Sequence, residues 1–241
     1  MAFNSGPKGI ITDGLIFYID PGNGSSYISG SSNIDDLISP SVTGSFKSTD
    51  VIYSDDGNGS LDFDGNANDF IEFPTFSSII GTANVQNITY SAWIKAGSSI
   101  GSYDGIMGTQ TSPTSDGGAM YWRDHFSTSK LYADFNYGAG STRVIPNVEL
   151  GATSLNKIKE WNEVTWTYNG SNSIIYLNGE LGESLSATGD VNDMDEIKDL
   201  GLSGVGYYWD GNISCVRMYN RALTASEITQ NYNSLKSRFG K

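Results

Sequence analysis

Apolar and polar residues alternate with period two along much of this chain, a pattern that predicts strands rather than helices. Ile88, Tyr90, Ala92 and Ile94 fall on one face, while Thr89, Ser91, Trp93 and Lys95 fall on the other. Val164, Trp166 and Tyr168 alternate with Glu163, Thr165 and Thr167. The turn Asn169-Gly170-Ser171-Asn172 follows, then a strand over 174–177, then Asn178-Gly179. Asn-Gly is the strongest two-residue hairpin signal because both positions need a positive φ, so this stretch reads as a three-strand meander. Leu61 and Phe63 alternate with Asp62 and Asp64, Gly65-Asn66 begins a turn, and Ile71 and Phe73 return until Pro74 stops the strand.

The opening strand is residues 15–19, closed by the dense turn signal Asp20-Pro21-Gly22-Asn23-Gly24. Residues 25–48 are Ser-rich with weak periodicity and read as a long surface loop. Short strands are expected over 105–108, 120–122 and 131–135. Two more, over 200–208 and 213–219, are expected to flank a turn at Trp209-Asp210-Gly211-Asn212. Only the end looks helical. Thr224-Ala225-Ser226-Glu227 is a capping box, and Ile228, Tyr232, Leu235 and Phe239 share one face at helical spacing. The expected fold class is all-β: a two-sheet antiparallel jelly-roll sandwich with a short C-terminal helix. Residues 1–13 are expected to be an N-terminal arm, either a frayed terminus or a docking peptide, and 14–241 a single domain.

Composition narrows the function classes. The chain has 241 residues and a formal net charge of −13, which repels phosphate backbones and argues against nucleic acid as a partner. No apolar run approaches the ~20 residues of a membrane helix. No basic and apolar leader is visible at the N-terminus, so the expectation is synthesis in a cytoplasm and exit, if any, by assembly or lysis. One cysteine, Cys215, rules out an intrachain disulfide and sits in an apolar run as a small core residue.

The segments, taken in order, resemble the concanavalin A-like lectin/glucanase superfamily in its laminin G-like branch. The opening strand and turn from Gly14 to Asn23, the Phe63-Asp64-Gly65 hairpin and the strand from Ile88 to Lys95 carry that likeness. So do Trp161-Asn162-Glu163-Val164, Tyr176-Leu177-Asn178-Gly179, and the closing stretch from Arg217 to Thr224. The opening, with Asp20, Gly22 and Asn23 after the strand, looks most like copies found in virion proteins of tailed bacteriophages. That likeness implies a non-enzymatic structural protein on a virion surface, a capsid decoration, fibre or tail component. It would be held by contacts with other virion proteins and form a homo-oligomer. In the wider family calcium or sugar binding is common, which implies a second reading, a carbohydrate-binding adhesin that contacts glycans. The closing strand carries Ser214 and Cys215 where the family often has acids, a departure that weakens a calcium site there.

The candidate chemistry follows those readings. Sugars present apolar C–H faces rimmed by hydroxyls, so exposed aromatics with polar neighbours are the residues to seek. Tyr121 with Trp122, Arg123 and Asp124 forms one cluster, Tyr207, Tyr208, Trp209 and Asp210 another, and Trp93 is a third candidate. The tip at 208–211 is favoured because a turn exposes its side chains. Candidate ligands for a structural Ca²⁺ are Asp20, Asn23, Asp62 and Asp64, none in an EF-hand spacing; no other cofactor is expected. A glycoside hydrolase is a third reading. It would need two cooperating carboxyls, and the nearest set, Asp193, Asp195 and Glu196, reads instead as a solvated acidic loop. His125, the only histidine, reads as a surface hydrogen-bonder, and no catalytic residue is assigned.

Overall fold

Alternating side chains leave each strand with one face to bury, and two sheets packed face to face bury them together. In the computed structural model, the described residues are 9–82, 85–101, 103–108, 119–125, 128–138, 142–150, 154–192, 194, 197–204 and 206–241. The side chains of 124, 125, 128, 154 and 155 are outside that description. The strands in chain order are β1 (Leu15–Ile19), β2 (Asn33–Asp35), β3 (Thr43–Phe46), β4 (Ile52–Ser54), β5 (Ser60–Asp64), β6 (Ile71–Glu72), β7 (Ile88–Ala96) and β8 (Tyr103–Gly108). Then come β9 (Ala119–His125), β10 (Thr128–Tyr137), β11 (Thr142–Val144), β12 (Asn147–Glu149), β13 (Asn162–Tyr168), β14 (Asn172–Leu177), β15 (Glu180–Ser186), β16 (Asp199–Leu200) and β17 (Asp210–Tyr219). The helices are α1 (Phe76–Ile80), α2 (Ser154–Lys157) and α3 (Ala225–Leu235).

One sheet runs β15-β14-β13-β7-β17-β5-β4, with β1 also paired to β17; the other runs β11-β10-β9-β8-β16-β6-β3-β2, with β12 paired to β10. Every pairing described is antiparallel, for example Val164 opposite Ala92 and Trp166 opposite Tyr90. The main core lies between the sheets and takes the inward faces of both, including Phe17, Leu61, Tyr90, Ile94, Trp122, Leu131, Phe135 and Trp166. Phe135 of one sheet stacks on Trp166 of the other, ring centroids 3.8 Å apart. The expected all-β sandwich with a C-terminal helix is the observed architecture. The 162–186 meander and the capping box are also present: Thr224 Oγ1 accepts from the Glu227 amide, and Glu227 accepts from the Thr224 amide.

Helix α3 adds a third layer that the alternation pattern concealed. It covers the outer face of the first sheet, where Trp93, Trp161, Cys215 and Phe239 are buried with Tyr232 and Leu235 packed against them. Trp93, expected on an exposed polar face, is 0% exposed and stacks on Phe239 at 4.1 Å. Beneath the same layer Arg217 and Glu163 form a fully buried ion pair. The N-terminal segment is tied to this layer too. The Ile11 amide donates to Asn231 Oδ1 at 2.8 Å, and Tyr219 Oη donates to the Ile11 carbonyl at 3.0 Å. Residues 9–13 of the expected arm therefore dock on the domain, while residues 1–8 lie outside the described residues.

Two loop expectations are corrected. Residues 25–48 contain β2 and β3, short strands that alternation cannot reveal over three or four residues. The expected turn at 209–212 is instead the start of β17: Gly211 pairs with Phe63 and Ala96. Gly211 is there for close approach, since a Cβ on it would meet the Lys95 carbonyl at 2.2 Å. Of the expected strand over 200–208, the described residues pair at Leu200, in β16, and at the isolated bridge between Leu202 and Tyr208.

Candidate functional site

The outward face of β8, β9 and β10 is where tyrosines from several strands meet. Strand pairing sets Tyr103 opposite Arg123, Gly105 opposite Tyr121, and Tyr121 opposite Tyr132, so period two places their side chains on one side. Their strand neighbours Trp122, Leu131 and Ala133 point the other way, into the core. Gly105 completes the arrangement. A Cβ there would meet the Ser203 amide nitrogen at 2.0 Å, so only glycine lets the 201–208 loop lie across the strand. The loop brings Tyr207 to Tyr103, and the Gly105 amide donates to the Tyr207 carbonyl at 3.2 Å.

The result is a shelf of four tyrosines. Ring centroids are 5.2 Å apart for Tyr207 and Tyr103, 6.3 Å for Tyr103 and Tyr121, and 5.3 Å for Tyr121 and Tyr132. Tyr103, Tyr132 and Tyr207 are half-buried, and Tyr121 is nearly covered. The Arg123 guanidinium lies 4.9 Å from the centre of the Tyr103 ring, a cation–π distance. No carboxylate is paired with Arg123 among the described residues, whereas Arg143 holds Asp134 with two nitrogens and Lys130 pairs with Glu149. Tyr121 Oη donates to Asp134 at 3.3 Å. Burial, and after it the Asp134 carboxylate, hold the Tyr121 phenol well above its usual range, so it stays a neutral donor. Such a surface can stack against flat apolar ring faces and offer phenol and guanidinium donors at their edges.

The shelf joins members of both clusters expected from the sequence. Arg123 and Tyr121 come from one, and Tyr207 from the other. The two tryptophans do not join it: Trp122 and Trp209 are each 0% exposed and belong to the inter-sheet core. Trp209 is a correction that follows from the missing turn: it lies just before β17, where its amide donates to the Gly201 carbonyl at 2.9 Å and its ring enters the core. Tyr208 is half-buried and stacks with Phe70 at 6.4 Å. Asp210 Oδ2 accepts from the Ser99 amide at 2.7 Å. The side chain of Asp124 lies outside the described residues, as do Asp193, Asp195, Glu196 and the His125 side chain. Tyr103 and Tyr132 escaped the sequence reading. Tyr132 opposite Tyr121 was the available signal, but it needs the register.

The calcium candidates do not fit a cation site. Asp20 is clasped by Arg238 through two contacts of 2.8 Å. Asn23 Oδ1 accepts from the Ser25 amide and Asp64 from Asn66. Asp62 is half-buried on β5; burial, then the Asp210, Asp56 and Asp64 carboxylates, raise its pKa. Among the described residues, no three His, Cys, Asp or Glu side chains gather as metal ligands. Cys215 is buried, and burial pushes its thiol up to about 11.

A family model described as the concanavalin A-like lectin/glucanases superfamily matches residues 64–229, well over half the chain. No curated protein is a detectable sequence relative. Among solved structures, domain 4 of AbnA, a GH43 extracellular arabinanase from Geobacillus stearothermophilus seen with arabinotriose, is similar at 15% identity and TM-score 0.64. The match covers 90% of this chain and 98% of that one. The binding domain of Paraclostridial Mosquitocidal Protein 1 is similar at 18% identity and TM-score 0.68, covering 92% and 52% of the two chains. The binding domain of botulinum neurotoxin serotype D is similar at 16% and 0.69, covering 92% and 51%. This chain spans about half the length of those toxin chains, and at such identities the likeness is one of fold.

Proposed function

The chain belongs to the concanavalin A-like lectin/glucanases superfamily, and from that premise we propose that it is a non-catalytic, carbohydrate-binding module. The observation that carries the reading is the tyrosine shelf: four neighbouring rings and an arginine without a carboxylate partner among the described residues, on the outward face of the second sheet. Sugar rings would stack on Tyr103, Tyr132 and Tyr207, with Arg123 as the edge donor and Tyr121, whose hydroxyl is already given to Asp134, packed beneath them. The fold neighbours support a binding role, one being seen with arabinotriose and the others being binding domains of toxins.

Catalysis is not part of this reading. A glycoside hydrolase needs two carboxyls free to act as acid and base or nucleophile across the bond. The described carboxylates on this face, Asp134 and Glu149, are each held by a cation. The virion-surface role expected from the opening segment has no support among the fold neighbours. It would concern where such a module is mounted rather than what its surface does.

A glycan array with wild type and the Tyr103→Ala/Tyr132→Ala variant tests the proposal. The expected result is a defined set of glycans bound by the wild type and lost in the variant. A wild type that binds nothing, or a variant that binds the same set, contradicts it.

A further inference from the structure

A second surface lies far along the chain from the shelf residues. The segment 27–32, the end of β3 and residues 48–53 enclose a groove of about 400 Å³, within the range of small-molecule sites, roughly 300–1,000 Å³. Its aromatic part is a row of near-parallel rings. Tyr27 lies 6.0 Å from Phe46 at 4° and 5.7 Å from Tyr53 at 6°. Its polar part is hydroxyl: Ser29, Ser31, Ser32, Ser48 and Thr49.

None of the lining side chains carries a charge. Some of the hydroxyls already serve the fold. Ser31 accepts from the Asn33 amide, and Ser48 donates to Asp69. The hydroxyls of Ser29, Ser32 and Thr49 have no hydrogen-bond partner among the described residues. Ile52, 54% exposed, extends the apolar side.

Tyr27 is buried between its two stacking partners, so the rings a ligand meets are the half-buried Phe46 and Tyr53. Beside hydroxyls without a partner among the described residues, and with no ionic group, these rings match an uncharged ligand that has an apolar ring face and a hydroxyl rim. An apolar peptide would leave the hydroxyls unpaired, and an ion would find no counter-charge. We infer that this groove is a separate binding site for the end of a neutral saccharide. It stands on its own lining and shares no residue with the shelf, so the chain would engage a glycan at two places. Two linked contacts raise apparent affinity for a long or branched glycan without new chemistry at either.

Amide-resolved NMR of the full chain tests this, with arabinotriose, maltotriose and cellotriose as probes at millimolar concentration. At least one probe is expected to shift signals from residues 29–32 and 48–53. Ser32→Trp, a change at an exposed position that fills the groove, should weaken that response about tenfold, as for a ligand that loses its stacking face. Thr49→Trp serves the same purpose if the first variant does not fold. The inference is overturned if no probe moves these signals, if the shifts persist at full strength in the filled variant, or if only an apolar peptide produces them. The shelf reports separately through Tyr103, Tyr121, Tyr132 and Tyr207. Shelf shifts with a silent groove sink this inference and leave the proposed function standing, and groove shifts with a silent shelf do the reverse.

Discussion

Glu163 shows how a single residue can look ordinary in sequence and be exceptional in the fold. It alternates with Val164 and so occupies the face that normally meets water, yet it is 1% exposed beside Arg217. Removing one partner of a buried pair leaves an uncompensated charge and costs about 3–5 kcal/mol. Arg217→Met is therefore expected to lower Tm by roughly 10 °C for a chain of this size. The double change Arg217→Met/Glu163→Leu should recover most of that loss, and calorimetric melting of both variants checks the ordering. Asp104 carries a different strain. Its Oδ2 is buried without a hydrogen bond. Burial, with the Asp210 carboxylate adding to it, pushes its pKa up from 3.8 to about 7. A carboxyl that is harder to ionise folded than unfolded gives stability that is full below pH ~4 and lost as pH rises through about 7. Asp104→Asn should thus melt progressively later than wild type as pH goes from 4 to 8, and parallel Tm curves would refute the assignment.

At the scale of elements, what could be read from the sequence was local. The hairpin at Asn178-Gly179, where φ is +54° and +79°, and the capping box of α3 depend on neighbours in sequence, and both are present. Thr224→Ala should cost about 1 kcal/mol through the lost cap, visible as a modest fall in Tm. What failed depended on distant partners. Trp93 falls on a polar face because the helix that covers it comes more than 130 residues later. Asp210-Gly211-Asn212 has turn composition and so points to an exposed tip at Trp209, whereas Gly211 serves a close strand approach. The shelf was half legible: Tyr121, Arg123 and Tyr207 were in the expected clusters, but only strand register adds Tyr103 and Tyr132. The groove is illegible, since its residues lie in the Ser-rich stretch 25–48, which periodicity reads as loop, and in the few residues just after it.

The molecule as a whole is a sandwich with unequal outer faces. One sheet is covered by α3 and the 9–13 segment, and the other carries the tyrosine shelf on its outward face. Stacking rather than ion pairing dominates the exposed shelf, so affinity for a neutral glycan should hardly change with ionic strength. The net charge of −13 should meanwhile disfavour nucleic acid and other polyanions. Isothermal titration of a glycan selected on the array, into wild type and into Tyr103→Ala/Tyr132→Ala, tests the central claim most directly. The account predicts saturable binding by the wild type and at least about a tenfold loss in the folded variant, a difference near 1.4 kcal/mol. Equal affinity in the two proteins would contradict it.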